Sequence, residues 1–444
     1  MKYATFPKGG IHPHEHKQTA HLPIEHLPLP EQVVIPLGQH LGAPAHPLVK
    51  RGDRVKVGTR IGEAQGFISA HVHSSVSGKV LKVDEITDLS GYRRPAVFIQ
   101  VEGDEWEEGI DRSPELVTTC DLSPQEIIER IKDAGIVGMG GAGFPTHVKL
   151  SIPPGKAIDT LIINGVECEP YLTADHRLML EKTDEILVGI AIIRRALGEP
   201  RVFIGIEANK PDAIRVMKER VKEWEGLEVR PLKVKYPQGA EKQLIKALTG
   251  REVPSGKLPL DVGCVVSNVG TAHAVYRAVQ KQMPLVERVV TVTGNDISRP
   301  GNFLVRVGTQ VEWVLDQAGG LPEDAGKVVA GGPMMGKALP NLEVPVTKTT
   351  SGILVLPRKD VGPRSVEPCI RCAKCVQACP MGLEPYLLER LSARERWEEA
   401  EARGIVDCVE CGSCAYICPA SRPLLDYIRY GKTTVMMLRK KRSA

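Results

Sequence analysis

Eight of the eleven cysteines lie in two short runs with the same internal spacing. Each run has the pattern C-x2-C-x2-C-x3-C and is followed by proline, first over residues 369–380 and again over residues 408–419. In proteins that bind two [4Fe–4S] clusters through this spacing, the fourth cysteine of each run ligates the cluster of the other run. One cluster is therefore expected on Cys369, Cys372, Cys375 and Cys418, and the second on Cys408, Cys411, Cys414 and Cys379.

Zinc is the alternative occupant of such a segment, since C-x2-C pairs also bind zinc ions. A zinc site needs four ligands for one ion, however, and triple runs that end in Cys-Pro are unusual for it. The crowding of the cysteines into one segment also disfavours a secreted disulfide framework. The pattern thus favours one-electron transfer by two clusters in a reducing compartment.

A glycine loop, GMGGAGFP over residues 138–145, is the second feature that could do chemistry. Gly138, Gly140 and Gly143 satisfy G-x-G-x-x-G, but the loop follows a predicted helix rather than a strand, and Pro145 comes directly behind it. We therefore reject an ordinary dinucleotide fingerprint. Bare backbone amides in such a loop could still bind a phosphate, and a tight turn is the structural alternative.

The composition is that of an ordinary globular protein, with 42% hydrophobic and 25% charged residues. The net charge of +4 is local, because Pro419–Ala444 carries seven Lys or Arg residues and one Asp. The slightly acidic remainder gives no support to nucleic-acid binding. The chain has neither an apolar signal segment at its start nor a run of 18 apolar residues, which predicts a cytoplasmic protein without a transmembrane segment of its own.

Hydrophobic periodicity supplies the elements that must position these residues. Residues 1–115 show short alternating segments between turns and predict a small β domain, with strands at Gln32–Pro36, Gly78–Val83 and Ala96–Val101. Residues 116–285 alternate strands with helices, which predicts a parallel sheet. Its predicted elements are a helix capped by Ser123 and Glu126, strands at Thr160–Ile163, Val202–Ile206 and Glu228–Val234, and helices over residues 183–197 and 211–223.

The second half of the chain divides into smaller parts. Residues 286–340 predict a β-α-β module, with strands at Arg288–Thr293, Asn302–Arg306 and Lys327–Ala330 and a helix at Val311–Ala318. Residues 341–362 are predicted to be a linker with one strand, Ile353–Leu356. The cysteine-rich domain follows over residues 363–430, with a solvated helix expected at Leu383–Arg403, and a basic tail covers residues 431–444.

Four segments resemble, in the same order, the NADH-oxidising subunit of respiratory complex I. GMGGAGFPTHVK (138–149) resembles that family's flavin loop, and NGVECEPY (164–171) resembles its NADESEPG segment. YPQGAEKQLIKALTGREVP (236–254) resembles its YICGEETALMNSLEG run, and VSNVGT (266–271) resembles NNVET. The resemblance implies that FMN and NADH bind to residues 116–285.

Carried over by position, the resemblance also implies roles for single residues. The FMN phosphate and ring edge would be held by Gly138, Gly140, Gly141, Gly143 and Lys149, and the flavin would be lined by Asn164, Glu167, Ser267, Asn268 and Thr271. Glu169, which would help to place the nicotinamide nucleotide, and Glu207, an acidic residue near the flavin, are the candidate catalytic residues. The chain departs from the family pattern at Leu150, Val166, Cys168 and Ala240.

The whole order of modules resembles the RnfC family, which belongs to the Rnf electron transport complex, an ion-translocating ferredoxin:NAD oxidoreductase. FPKGGIHPHEHK (6–17) resembles that family's opening KGGxHPxxxK pattern, and TVTGNDISRPGNFLVRVGT (291–309) resembles its β-grasp module. The resemblance implies a multidomain α/β plus β protein. Its parts would be an N-terminal barrel-sandwich-like β domain, a Rossmann-like α/β flavin domain, a β-grasp module that binds a soluble ligand, and a ferredoxin-like α+β domain with two clusters.

The same resemblance implies a function. Hydride would pass between NAD(H) and FMN, and single electrons would pass through two [4Fe–4S] clusters to or from the membrane and iron–sulfur subunits of one complex. The chain would lie on the cytoplasmic side of the cell membrane as a peripheral subunit. The alternatives are a cobalamin reductase with similar flavin and cluster segments, and a docking protein that has clusters but no flavin.

Both ends of the chain carry features with more than one interpretation. The histidines at His12, His14, His16 and His21 suggest a metal site, but an exposed arm is the favoured interpretation. The basic tail could lie on anionic lipid or dock on an integral membrane partner, and a solvated end is as well supported.

Overall fold

The computed structural model describes residues 3–362 and 365–443. The N-terminal part consists of short strands, with β2 at the predicted position. The strands are β1 Ile24–His26, β2 Gln32–Pro36, β3 His46–Pro47, β4 Arg54–Val55, β5 Arg60–Glu63, β6 Val72–His73, β7 Ser77–Thr87 and β8 Arg93–Gly103. Two antiparallel sheets, in the orders β2-β8-β7-β4 and β3-β5-β6, share one core that includes Ile35, Ile61, Val80 and Ile99.

The next part of the chain alternates helices and strands. Its elements are α1 Pro124–Asp133, α2 Thr146–Leu150, β9 Thr160–Gly165, α3 Ala174–Glu181, α4 Thr183–Ala196, β10 Arg201–Glu207, α5 Pro211–Arg220, β11 Leu227–Leu232, α6 Glu241–Thr249, β12 Cys264–Asn268 and α7 Val269–Lys281. The four strands form a sheet in the order β11-β10-β9-β12, and every neighbouring pair is parallel, as predicted. The capping box of α1 is confirmed, because Ser123 and Glu126 exchange side-chain-to-backbone hydrogen bonds.

Helices cover both faces of this sheet, and that explains why its strands are continuous apolar runs. Leu161 and Ile163 of β9 pack with Ile190 of α4 in the largest core. Ile162, which points to the opposite face, packs with Leu244 of α6. Because the sheet is buried on both faces, ligands can reach it only from its ends.

A six-stranded sheet follows, with the order β1-β14-β13-β17-β15-β16. Its elements after β1 are β13 Glu287–Gly294, β14 Gly301–Arg306, α8 Val311–Gln317, β15 Ala325–Ala330, β16 Lys337–Ala338 and β17 Gly352–Pro357, and the short helix α9 Arg358–Val361 comes next. The prediction of a linker over residues 341–362 is wrong for β17, which lies between β13 and β15 in the middle of the sheet. The apolar sequence of this strand, GILVLP, is buried because strands pair with it on both edges.

The cysteine-rich part is helical apart from its ligand loops. Its helices are α10 Lys374–Ala378, α11 Pro385–Ser392, α12 Trp397–Ala402, α13 Ser413–Tyr416 and α14 Leu424–Ser443. The single solvated helix predicted at Leu383–Arg403 is wrong, because the segment forms two helices whose Leu388, Leu391 and Ala400 are buried against α14.

The basic tail is likewise not a separate segment. Residues 431–443 continue α14, and Val435 is still buried in the helical core. Among residues 3–362 and 365–443, none of the helices combines the length and the apolar character that crossing a membrane requires.

Candidate cofactor sites

Three of the predicted site residues meet at the carboxyl edge of the parallel sheet. Asn164 of β9 lies in register with Asn268 of β12, and Glu207 is the last residue of β10. The Asn268 amide donates to the Asn164 carbonyl oxygen (3.3 Å) and to the carboxylate of Asp175 (2.6 Å). In open α/β sheets this edge is where ligands bind.

The glycine loop packs against this edge. The Met139 amide donates to Thr271 Oγ1 (3.0 Å), and a side chain at Gly140 would come within 3.0 Å of Asn268. The amides of Gly140, Gly141 and Ala142 are on the exposed side of the loop and form no hydrogen bond with other described residues. Free amides on a loop without large side chains fit the phosphate of a nucleotide.

Lys149, which is expected with the glycines, has other partners. Its ammonium donates to the Val266 carbonyl oxygen of β12 (2.9 Å) and lies 3.3 Å from the Glu241 carboxylate. The cation beneath the glycine loop is instead Arg288 of β13, which is buried and contacts the Met139 sulfur. Burial lowers the pKa of Arg288 to about 10 and raises the pKa of nearby Asp175 to about 6. No sequence pattern indicates this buried pair.

The loop after β9 places its two glutamates in different environments. The Glu167 carboxylate accepts from the amides of Asp175 (2.8 Å) and His176 (3.2 Å), so it caps α3. The Glu169 carboxylate accepts from the amides of Met334 (3.1 Å) and Met335 (2.7 Å), in the loop between β15 and β16. Burial raises the pKa of Glu169 to about 7, so this carboxyl group can hold or release a proton near neutrality.

Glu207 is the second carboxyl group with a raised pKa. It is 1% exposed, lies 3.9 Å from the Lys210 ammonium, and accepts from the Lys235 amide (3.2 Å). Burial is the largest cause, and the pKa of Glu207 is about 7. Cys168 lies in the same region, and burial raises the pKa of its thiol. A thiol that stays protonated favours a packing role for Cys168 over a reactive one.

The N-terminal arm, residues 6–17, lines a cavity beside these groups. His12, Glu15 and Lys17 face Cys168 and Glu207 across it. The side chains of His12, His14 and His16 are exposed as expected, but the arm itself is not free. The Lys17 ammonium donates to three backbone oxygens of the loop after β9, those of residues 167, 169 and 172, at 2.5–2.9 Å. An unpaired lysine in a glycine- and proline-rich segment gives no sequence signal for such a role.

The two cysteine runs fold into equivalent loops. Positive φ angles occur at Arg371 and Ala373 in the first loop and at Glu410 and Gly412 in the second, at matching positions between the cysteines. A short helix starts directly after each loop. The repeated backbone conformation shows that the spacing alone sets the local geometry.

One predicted ligand set surrounds a single cavity. This cavity is lined by Cys379, Cys408, Cys411 and Cys414, and by apolar residues of α11 and α14. The amides of Leu383 and Glu410 each donate to a cysteine sulfur at 3.4 Å, those of Cys379 and Cys408, as amides do to cluster-bound thiolates. Among the described residues, no three potential His, Cys, Asp or Glu ligands lie close enough to hold a single metal ion. A donor set spread around a cavity fits a cubane, whose thiolates bind four different irons.

The two sets differ in exposure. Cys379, Cys411 and Cys414 are buried, whereas Cys369 and Cys372 are exposed. Burial raises the pKa of the Cys408 thiol to about 11. Ile370, between the two exposed cysteines, is 68% exposed.

The buried set lies against the sheet edge. Tyr236, which lines the arm cavity, donates from its hydroxyl group to the Cys411 carbonyl oxygen (2.8 Å). On the same side, the Gly10 amide donates to the Ala378 carbonyl oxygen (2.9 Å). The two candidate cofactor regions therefore meet at Tyr236 and the arm, and no sequence motif indicates this role for Tyr236 or for Gly10.

Four family models match successive parts of the chain. They are the RnfC barrel sandwich hybrid domain (residues 5–104), the Nuo51 FMN-binding domain (131–277), the SLBB domain (289–338) and a 4Fe-4S dicluster domain (364–422). The matches establish FMN and iron–sulfur clusters as the cofactors that these domains bind, and they follow the predicted order of modules.

Full-length relatives carry one kind of name. The RnfC-type subunit of the proton-translocating ferredoxin:NAD(+) oxidoreductase complex of Clostridium ljungdahlii is 49% identical, over 96% of this chain and 93% of its own. The Na(+)-translocating counterpart of Acetobacterium woodii is 46% identical over 99% of both chains. The corresponding subunit of the ion-translocating oxidoreductase complex of Rhodobacter capsulatus is 45% identical over 96% of this chain and 82% of its own.

A solved structure shares the fold. The crystal structure of an NAD+-reducing [NiFe]-hydrogenase in the H2-reduced state aligns with a TM-score of 0.50 and 20% identity, over 71% of this chain and 63% of that one. At this identity the likeness concerns the fold alone.

Proposed function

The chain belongs to the RnfC family of ion-translocating ferredoxin:NAD(+) oxidoreductase complexes, and from this premise we propose a specific electron route. Hydride is exchanged between NAD(H) and FMN at the carboxyl edge of the parallel sheet, and single electrons pass through two [4Fe–4S] clusters to or from partner subunits. The observation that carries the proposal is the contact between the two regions, where Tyr236 joins the sheet edge to the Cys411 loop.

FMN, when bound, supplies the conversion between two-electron hydride exchange and one-electron steps. The chain's own part is to bind and orient it. The amides of Gly140 and Gly141 receive the phosphate, with Gly138 and Gly143 shaping the turn, and Asn164, Asn268 and Thr271 hold the ring edge. Ser267 lies beside Asn268 on β12, while Glu167 and Lys149 support the site through their bonds to α3 and β12.

Glu169 and Glu207 are proposed to handle protons and to orient the nicotinamide. Both carboxyl groups have a pKa of about 7 because they are buried, so each exists in both protonation states near neutral pH. Hydride transfer to a flavin is accompanied by uptake of one proton. Glu207, on the end of β10 beside the arm cavity, is the better placed of the two to hold that proton at its carboxyl oxygen.

The two clusters are proposed to act in series. The first is held by Cys408, Cys411, Cys414 and Cys379, next to Tyr236. The second is held by Cys369, Cys372, Cys375 and Cys418. The exposure of Cys369 and Cys372 supports a role for the second cluster as the exchange point with a partner protein.

The finer assignments of fold and location belong to the same proposal. The FMN domain is proposed to be Rossmann-like and the SLBB domain to be a β-grasp module that binds a soluble ligand. The partners are the membrane and iron–sulfur subunits of the complex, and the chain lies peripherally on the cytoplasmic side of the membrane. A cobalamin reductase is less well supported, because the similar full-length proteins are oxidoreductase complex subunits.

Anaerobic purification tests the proposal. The expected protein has a flavin spectrum that bleaches when NADH is added, and about eight iron atoms per chain, as two four-iron clusters require. A chain with clusters but no NADH-bleachable flavin would leave only a docking role. Reduction of cob(III)alamin with NADH as fast as reduction of a viologen would shift the assignment to the cobalamin reductase.

A further inference from the structure

The N-terminal arm contacts both cofactor regions within nine residues. At one end, Gly10 donates its amide to the Ala378 carbonyl oxygen, directly before Cys379. In the middle, Ile11 and Tyr236 exchange two backbone hydrogen bonds, each of 2.9 Å. At the other end, Lys17 binds the backbone of the loop that carries Glu167 and Glu169. A single short segment thus runs from a cluster loop to the flavin loop.

The cluster end of the arm has no room for a side chain. Gly9 has a φ of +66°, and a Cβ atom there would lie 2.3 Å from the Cys379 carbonyl oxygen and 2.7 Å from the Pro380 nitrogen. These neighbours are backbone atoms, so they cannot move aside as a flexible side chain would. The glycine therefore permits a contact distance between the arm and the ligand loop that any other residue would prevent.

The flavin end is fixed by charge. The Lys17 ammonium directs its three donors to three backbone carbonyl oxygens, which also lets a buried lysine satisfy its hydrogen bonds. The Glu15 backbone oxygen accepts from the Tyr171 amide (2.8 Å), and the His16 ring stacks on the Tyr171 ring with centroids 4.6 Å apart. These contacts order the loop from its outer side.

We propose that residues 9–17 act as a positioning strap that sets the separation between the flavin and the cluster of Cys379, Cys408, Cys411 and Cys414. Gly9 is the positioning residue at the cluster end and Lys17 at the flavin end, and Tyr236 lies between them. The inference rests on the proposed function. NADH supplies two electrons as hydride, each cluster takes one, and the protons left behind return to solvent. The rate of each one-electron step falls steeply with separation, so displacement of either end slows it.

The test compares Gly9→Ala with Gly66→Ala in the full-length protein purified with its cofactors. Gly66 also has a positive φ (+75°), but a Cβ atom there meets nothing within 4 Å. Both substitutions therefore strain the backbone alike, and only the first displaces the Cys379 loop. Stopped-flow absorbance after mixing with NADH separates flavin bleaching from the slower bleaching of the clusters, and iron analysis reports cluster content.

We expect flavin bleaching to be unchanged in both variants and cluster bleaching to slow by about tenfold or more in Gly9→Ala, since misplacement by about 1 Å can cost on the order of 10²-fold in fixed reactions. Tyr236→Phe, which removes one hydroxyl group and no packing volume, should slow the same phase several-fold with iron content retained. The strap is refuted if cluster bleaching in both Gly9→Ala and Tyr236→Phe matches that in Gly66→Ala. If NADH bleaches no flavin even in the unsubstituted protein, the proposed function fails instead.

Discussion

The two cysteine loops have the same spacing and the same backbone conformation, yet one is buried and the other is exposed. In the loop around Cys411, the arm and Tyr236 cover the ligands, and Cys411 and Cys414 are 7% and 8% exposed. In the loop around Cys372, the ligands and Ile370 face solvent. Local sequence therefore determines how a loop can ligate iron, and tertiary contacts determine what the bound cluster meets.

This difference separates two tasks in one small domain. Solvent exposure and hydrogen bonds to the sulfurs are among the main determinants of a cluster's reduction potential. Two loops of equal sequence pattern can thus hold clusters of unequal potential. We expect the buried loop to face the flavin and the exposed loop to face a partner.

Removal of one ligand from each loop should have the largest effect. Cys411→Ala and Cys372→Ala should each reduce the iron content to about four atoms per chain, since one cubane needs all four thiolates. In Cys372→Ala the remaining cluster should still be reduced by NADH. In Cys411→Ala the remaining cluster should be reduced by dithionite but not by NADH, because the intermediate carrier is gone. Electron paramagnetic resonance after each reductant checks this, and equal NADH reduction in both variants would invert or abolish the proposed order.

Iron removal should distinguish the loops by rate. An iron chelator added to the reduced protein should remove iron in two phases, the faster from the cluster whose Cys369 and Cys372 are exposed. In Cys372→Ala the fast phase should be missing. The release can be followed by the absorbance of the chelate, and a single phase in the unsubstituted protein would contradict the comparison.

The carboxyl groups of the α/β unit extend the comparison of buried and exposed sites. Burial raises the pKa of Glu207 from its ordinary 4.5 to about 7, so the folded state binds more protons than the unfolded state between these values. The free energy of unfolding should therefore fall as pH rises from about 4.5 to 7, by roughly 3 kcal/mol or less. Glu207→Gln should remove this slope, while Glu228→Gln, at an exposed position on β11, should retain it. Thermal unfolding at several pH values provides the measurement.

Two ion pairs of the cluster domain should show the smallest effects. Glu389 is 3% exposed and pairs with Arg422, close to the end of the second run, whereas Glu401 pairs with Arg439 and Arg442 on the surface. Glu389→Gln should lower the stability by about 2 kcal/mol, because a charge is left partly buried without its partner. Glu401→Gln should cost less than about 1 kcal/mol. Equal shifts of the unfolding midpoint would show that burial does not separate these pairs.

Much of the local structure could be predicted from the sequence. The strand at Gln32–Pro36, the capped helix after Ser123 and the parallel sheet follow from turn residues, caps and apolar periodicity, which act over short distances. The strand at Ile353–Leu356 was also predictable, but its place in the middle of a sheet was not, because pairing joins residues far apart in the chain.

The candidate sites show the same limit. The cysteine spacing indicates which residues share a cluster, and the glycine loop indicates where a phosphate can bind. The exposure of each cluster depends on Tyr236 and on the arm, which approach from distant parts of the sequence. Lys17 and Arg288 could not be predicted, because a charged residue carries no periodic signal for the carbonyl group or carboxylate that it will meet.

The position of the arm in the chain has a consequence for biogenesis. Residues 9–17 leave the ribosome before both cofactor regions, but two of their contacts, at Ala378 and through Tyr236 at Cys411, are with residues made late. Contacts between residues so far apart in sequence form slowly, after the local units have folded. The strap can therefore close only when synthesis is nearly complete and the cysteine loop has taken its shape. Closure of the arm would then mark the chains whose late, iron-binding domain has been assembled.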